Sequence, residues 1–145
     1  MPLETDVLYQ LAVGLVYIHE KGLIHRDLKP ENVLIWVSPE NGQVLMKWAD
    51  FGLSKRVNER GSYSISGVKG TLHWIAPEIL KNEEITQLER RKRGTIKSDV
   101  FSEGLVFGYF LLKGLHLFGL RRREIDSNIH SNKPVNLESK FHYFK

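Results

Sequence analysis

The chain of 145 residues contains no cysteine. Disulfide frameworks and thiolate metal sites are therefore excluded, in keeping with a reducing compartment. It also lacks an apolar run long enough for a bilayer. The longest stretch, near Leu105 to Leu112, falls far short of the roughly 20 residues that a membrane helix needs. The first residues do not show the basic and then apolar pattern of a secretory signal, so the chain as it stands is expected to be soluble. Nor does its charge dictate a partner. The net charge of +4 is mild and diffuse, enough to steer anions over distance but not to argue for nucleic-acid binding. Two basic runs, Arg90-Arg91-Lys92-Arg93 and Arg121-Arg122-Arg123, carry none of the interleaved aromatics that stack on bases. Each reads as a solvated loop or helix face ahead of a localisation signal or an anion patch, and no direct nucleic-acid contact is expected.

What is present suffices for one packed domain. Hydrophobic residues make up 41% of the chain, and no compositional bias suggests disorder. Leu8, Leu11, Ala12, Leu15 and Ile18 recur at helical spacing behind a capping Thr5 or Asp6, and Gly22 supplies the stop. Two short apolar runs, Val33-Leu34-Ile35-Trp36 and Val44-Leu45-Met46-Lys47-Trp48, flank Ser38-Pro39-Glu40-Asn41-Gly42 and predict a β-hairpin. From Leu53 to Ile75 periodicity is lost and Ser, Gly and charge accumulate, as in a mobile loop. Asp99 to Leu112 has the length of a helix and is apolar on most faces, which suits a helix buried at the centre. The residues from Ser131 to Lys145 show no clear period.

Four motifs follow one another along this frame. His25-Arg26-Asp27-Leu28-Lys29-Pro30-Glu31-Asn32 precedes Asp50-Phe51-Gly52, then Ala76-Pro77-Glu78, then Ser98-Asp99-Val100-Phe101-Ser102-Glu103-Gly104. Each is weak alone; in this order and separation they resemble the eukaryotic protein kinases, over nearly the whole chain. Phosphoryl transfer needs one carboxylate at the attacking hydroxyl and separate oxygen ligands for magnesium. The resemblance implies that Asp27 takes the first role and that Lys29, which points to the Ser/Thr-directed class, contacts the transferred phosphate. Asn32 and Asp50 supply the magnesium oxygens, brought to one cluster by the hairpin between them. ATP and Mg2+ are the implied cofactors. His25 and Asp99 are implied to be structural, Asp99 holding the catalytic loop by hydrogen bonds. The stretch from Leu53 to Ile75 becomes the activation segment, with Ser62, Tyr63, Ser64 and Ser66 as candidate phosphorylation positions whose phosphate would pair with Arg26. Thr71 is implied to contact Asp27 and Lys29 on the platform for a peptide substrate. Glu78 is implied to be a buried carboxylate whose arginine partner lies further downstream than the chain reaches, a loss of about 3–5 kcal/mol.

A narrower likeness rests on Lys113-Gly114-Leu115-His116-Leu117-Phe118-Gly119 ahead of Arg121-Arg122-Arg123 and Asn128-Ile129, together with the long hairpin turn and Gly70-Thr71-Leu72-His73-Trp74-Ile75-Ala76-Pro77-Glu78. These are similar to the transmembrane kinase/endoribonucleases of the unfolded protein response and to ribonuclease L; His116 is given no chemistry. The implied fold is α+β: the mainly helical large lobe of a kinase with a small β-hairpin, forming a partial kinase domain over residues 1–145. No Gly-x-Gly-x-x-Gly and no Val-Ala-Ile-Lys occurs. The small lobe is thus expected to be absent and the isolated chain inactive, with ribonuclease activity left to a separate domain of the family. The implied partners are a protein substrate, including a second copy in trans, and a homodimer by analogy. The implied location is cytoplasmic, family members sitting in the endoplasmic reticulum membrane with the kinase facing the cytosol. The rival reading is a catalytically inactive interaction or regulatory module that keeps the lobe surface.

Overall fold

The first helix forms where the apolar spacing predicts it. In the computed structural model, which describes residues 2–64, 69–80 and 93–137, α1 spans Glu4–Glu20 and buries Val7, Leu11, Leu15 and Ile18. These recur at three- and four-residue intervals and so share one side of the helix. Its start differs from expectation: Leu3 is the N-cap, with no side-chain hydrogen bond, and Thr5 and Asp6 lie inside the first turn. There Glu4 and Asp6 favour the helix through negative charge near its positive end. Gly22, at φ +69°, follows the last turn in a conformation that only glycine adopts without penalty.

Strand β1 (Leu23–Ile24) leads through a 3-10 turn, Pro30–Asn32, into the predicted hairpin of β2 (Val33–Val37) and β3 (Val44–Trp48). Val33 lies opposite Trp48, and Val37 opposite Val44. Met46 and Trp48 of β3 join the buried side of α1, Leu28 and Val106 in the main core. The indole N–H of Trp48 donates to the Leu11 carbonyl at 3.0 Å, and the Met46 amide donates to the Gln10 side chain at 2.7 Å. In β2 only Val33 packs against this core, while Leu34, Ile35, Trp36 and Val37 are all exposed.

The expected mobile loop contains two short strands. Strand β4 (Lys55–Arg56) pairs with β1, and β5 (Ser62–Ser64) pairs antiparallel with β6 (Arg93–Thr95). Strands of two and three residues are too brief to show a period, which is why only a loop was legible. Helix α2 covers Pro77–Leu80, α3 Lys97–Leu111 and α4 Arg122–His130. Helix α3 is not apolar on most faces. Its buried side carries Ser98, Asp99, Ser102 and Glu103 before Leu105 and Val106, while Val100 and Gly104 are exposed. Leu105 packs with Phe118, Ile125 and Ile129 in a second cluster that seats α4. Arg121, Arg122 and Arg123 are exposed at the start of α4, as a solvated face should be. Most of the other basic run, Arg90 to Lys92, lies outside the described residues. Four helices and three two-stranded sheets, among the described residues, thus give the expected mainly helical α+β architecture. No described helix is long and apolar enough to cross a membrane.

Glu103 stands out in the buried face of α3. It is 8% exposed, and its Oε1 has no hydrogen-bond partner. Burial, partly offset by Trp48 and His19 and reinforced by Asp99, pushes its carboxyl up to about 7 from an ordinary 4.5. The folded chain therefore holds this proton more tightly than the unfolded chain does. The corresponding stability is fully present below pH 4.5 and is lost as the pH rises through about 7. Glu103→Gln keeps the neutral shape and is expected to be more stable than the parent by about 2–3 kcal/mol above that window. The two should be close below it, as urea unfolding on either side of the window will show.

Candidate active site

The catalytic-type loop hangs from one carboxylate. Asp99, 1% exposed, accepts the backbone N–H of His25 at 2.8 Å and that of Arg26 at 2.9 Å. It also accepts His19 Nε2–H from α1 at 2.9 Å. Three donors satisfy a group that would otherwise be costly to bury. They also hold Arg26 at φ +69°, a region that non-glycine residues seldom occupy. His25 is fully buried. Its Nε2 lies 2.9 Å from the Ala49 carbonyl and its Nδ1 accepts the Asp27 N–H at 3.3 Å, so the proton sits on Nε2. Through that ring the loop is tied to the residue just ahead of Asp50.

Asp27 gathers three further residues. Thr71 Oγ1 donates to its Oδ1 at 2.6 Å, and Lys29 Nζ and Asn32 Nδ2 each lie 3.1 Å from its Oδ2. Lys29 Nζ also donates to Thr71 Oγ1 at 2.7 Å, and Asn32 Nδ2 to the Asp27 carbonyl at 2.8 Å. Burial pushes the Asp27 carboxyl up, but the hydrogen bonds from Thr71, Lys29 and Asn32 and the charge on Lys29 outweigh it and hold the group below its usual range. Asp27 is therefore an ionised acceptor at neutral pH.

Asp50 stands beside this group. It is exposed, at φ +61°, and its Oδ1 accepts the Gly52 amide at 3.1 Å. The hairpin brings it near Asn32 through the backbone, since the Ala49 amide donates to the Asn32 carbonyl at 2.9 Å. No cluster of three His, Asp or Glu residues able to hold a metal occurs among the described residues. The fit to magnesium rests instead on two hard oxygens. Asn32 turns its amide nitrogen toward Asp27, which leaves Oδ1 as the end for a cation, and the exposed Asp50 carboxylate supplies the charged ligand. Mg2+ keeps waters and takes phosphate oxygens to complete its shell, so two protein ligands suffice.

Other predicted positions fall differently. Arg26 donates through Nε to the Leu53 carbonyl at 2.6 Å and lies against the Tyr63 ring, so it is engaged without any phosphate. Ser62 donates to Asn58 Oδ1 at 2.9 Å, and exposed Ser64 accepts from Lys55 Nζ through its carbonyl at 2.9 Å. Ser66 lies outside the described residues. Glu78 is exposed, which corrects the expectation of a buried carboxylate. An exposed carboxylate keeps its water, so the cost of burial does not arise.

Sequence reading missed the partners that steady the segment around His73 and Trp74. Ser102 Oγ donates to the Trp74 carbonyl at 2.6 Å. His116, buried and held below its usual range mainly by that burial, donates through Nε2 to the His73 carbonyl at 2.8 Å. His73 Nδ1 meets Asp126 at 2.7 Å. His19 was missed as well; its only sequence signal is its place on the buried side of a helix that ends at the loop.

Two outcomes follow from this geometry. Thr71→Val removes a donor to Asp27, so the Asp27 pKa is expected to rise. The stability that its depressed pKa supplies at neutral pH, lost as pH falls through the folded value, should shrink accordingly; a carboxyl-carbon NMR titration checks both. Asp99→Ala leaves two loop amides unpartnered and is expected to cost about 2–4 kcal/mol in urea unfolding.

The chain matches the family described as Protein kinase domain over residues 4–143. It is 39% identical over 119 residues to the serine/threonine-protein kinase/endoribonuclease ire-1 of Caenorhabditis elegans, covering 79% of this chain and 11% of that protein. It is 43% identical over 115 residues to the human serine/threonine-protein kinase/endoribonuclease IRE2, covering 78% of this chain and 12% of that protein. The sensor for unfolded proteins in the ER ire1 of Schizosaccharomyces pombe is 35% identical over 131 residues, covering 79% of this chain and 12% of that protein. The chain thus spans about a tenth of the length of these relatives.

Proposed function

The chain belongs to the protein kinase family, on its serine/threonine side, and from that premise we propose that it orients a protein hydroxyl and the phosphates of magnesium-ATP for γ-phosphoryl transfer, as a partial kinase domain over residues 1–145. The single observation that carries this reading is the hydrogen-bonded group of Asp27, Lys29, Asn32 and Thr71. An ionised Asp27 can accept the proton of an incoming Ser or Thr hydroxyl as the new P–O bond forms and the bond to the ADP oxygen breaks. Lys29, within 3.1 Å of that carboxylate, places positive charge where the transferring phosphoryl group passes. Thr71 keeps Asp27 and Lys29 in register from the platform side. Asn32 Oδ1 and Asp50 are the residues that would hold magnesium, which supplies neutralising charge to the phosphate oxygens.

The nematode, human and fission-yeast relatives favour a kinase of the unfolded-protein-sensing kind. The substrate is then a protein hydroxyl, including the activation segment of a second copy, with a homodimer as the working form and the cytosolic face of the endoplasmic reticulum as its place. One observation favours the rival reading of an interaction module: Leu34, Ile35, Trp36 and Val37 form an exposed apolar strand beside the site.

Grafted in place of the matching segment of the nematode relative, the chain is expected to support transfer of labelled γ-phosphate to a Ser/Thr peptide. Asp27→Asn should lower the rate by about 100- to 10,000-fold with ATP binding retained. A graft that binds partners yet transfers nothing favours the interaction module, and a rate indifferent to Asp27→Asn sinks the assignment of Asp27.

A further inference from the structure

Tyr63 takes no part in that mechanism, yet it is seated with care. It lies in β5 between half-buried Ser62 and exposed Ser64, but is itself only 7% exposed. The Arg26 guanidinium carbon is 5.6 Å from the centroid of its ring, within reach of a cation–π interaction. The same guanidinium is fixed on the near side of the segment by the Leu53 carbonyl. Ser98 of α3 lines the same small cavity as Tyr63, and its hydroxyl donates to the Thr95 carbonyl at 2.8 Å. Burial above all pushes this phenol's pKa up, as an enclosed seat should.

The seat exists because of one residue on the opposite strand. Tyr63 faces Gly94 in the β5–β6 pair. A Cβ at position 94 would stand 2.3 Å from Tyr63 Cζ, so any other residue there evicts the ring. A three-residue strand, an aromatic ring beside Arg26 and a glycine opposite all converge on one side chain. Arg26 in turn is the residue whose amide Asp99 holds, one position ahead of Asp27.

We propose that Tyr63 is a positioning residue that fastens the activation segment to Arg26 in place of a phosphate, so that the catalytic loop holds its shape before any serine of the segment is modified. The functional meaning of this latch rests on the kinase reading. Its existence does not, because it can be read at Arg26 itself without any phosphoryl transfer.

The test uses the full chain in unphosphorylated form, confirmed by mass, with nitrogen-15 NMR and amide exchange. The parent is expected to show an Arg26 Nε–H resonance displaced by the ring current, with slow exchange at the Arg26 and Asn58 amides. Tyr63→Phe keeps the ring and should retain both signatures. Tyr63→Leu keeps apolar bulk but has no π face. It should lose the displacement and speed exchange at those two amides about tenfold or more, with α1 unchanged. Gly94→Ala should reproduce the Leu variant from the opposite strand, and if it unfolds α1 as well, the Leu and Phe variants decide between them. The proposal is overturned if Tyr63→Leu behaves as the parent, if Phe behaves as Leu, or if protection appears only after phosphate is added to the serines.

Discussion

One buried carboxylate sets the geometry of this molecule. Asp99 receives the amides of His25 and Arg26 and the ring of His19, drawing the end of α1, the loop and the start of α3 to one point. A carboxylate buried to this degree is tolerable only when its lone pairs are occupied, and the loop amides need an acceptor just as badly. Each side therefore constrains the other. The left-handed turn at Arg26 persists because relaxing it would orphan groups on both sides.

The polar face of α3 extends that role. Ser98 ties in β6 through Thr95, while Ser102 holds the segment at Trp74. A helix placed at the centre of a lobe would ordinarily be apolar on its inner side. Here the first half of that side is polar because it meets the backbone of two loops, at His25–Arg26 and at Trp74, and of the end of β6 at Thr95. Glu103 is the exception on this face. One of its oxygens finds no partner, and burial favours its neutral acid form.

The chemistry of the site follows from the same economy of charge. Lys29 stands against Asp27, and the Thr71 hydroxyl bridges the two by accepting from Lys29 and donating to Asp27. The result is a carboxylate kept ionised in a half-enclosed position, aimed by a lysine that is itself held. Asp50 is different in kind: exposed, on a turn, and joined to the rest through the backbone of the hairpin. A ligand for a hydrated cation suits such a place better than a base does.

The sequence by itself determined the elements whose signal is local. The stripe on α1 and the paired runs of the hairpin were legible because a helix and a strand each repeat within a few residues. Motif order named Asp27, Lys29, Asn32 and Asp50 as candidates before any fold was known. Only the tertiary structure decided who meets whom. Asp99 lies 74 residues from His25 and 80 from His19, and no local period links such positions. Strands β4 and β5 were invisible for the same reason, since each is stabilised by a partner distant in the chain. Glu78 went wrong because burial, unlike residue type, is a property of what packs around a side chain. Tyr63 was legible only as one of several hydroxyl residues in a polar loop. Its place over Arg26, opposite a glycine that leaves it room, exists because β5 and β6 come together in space.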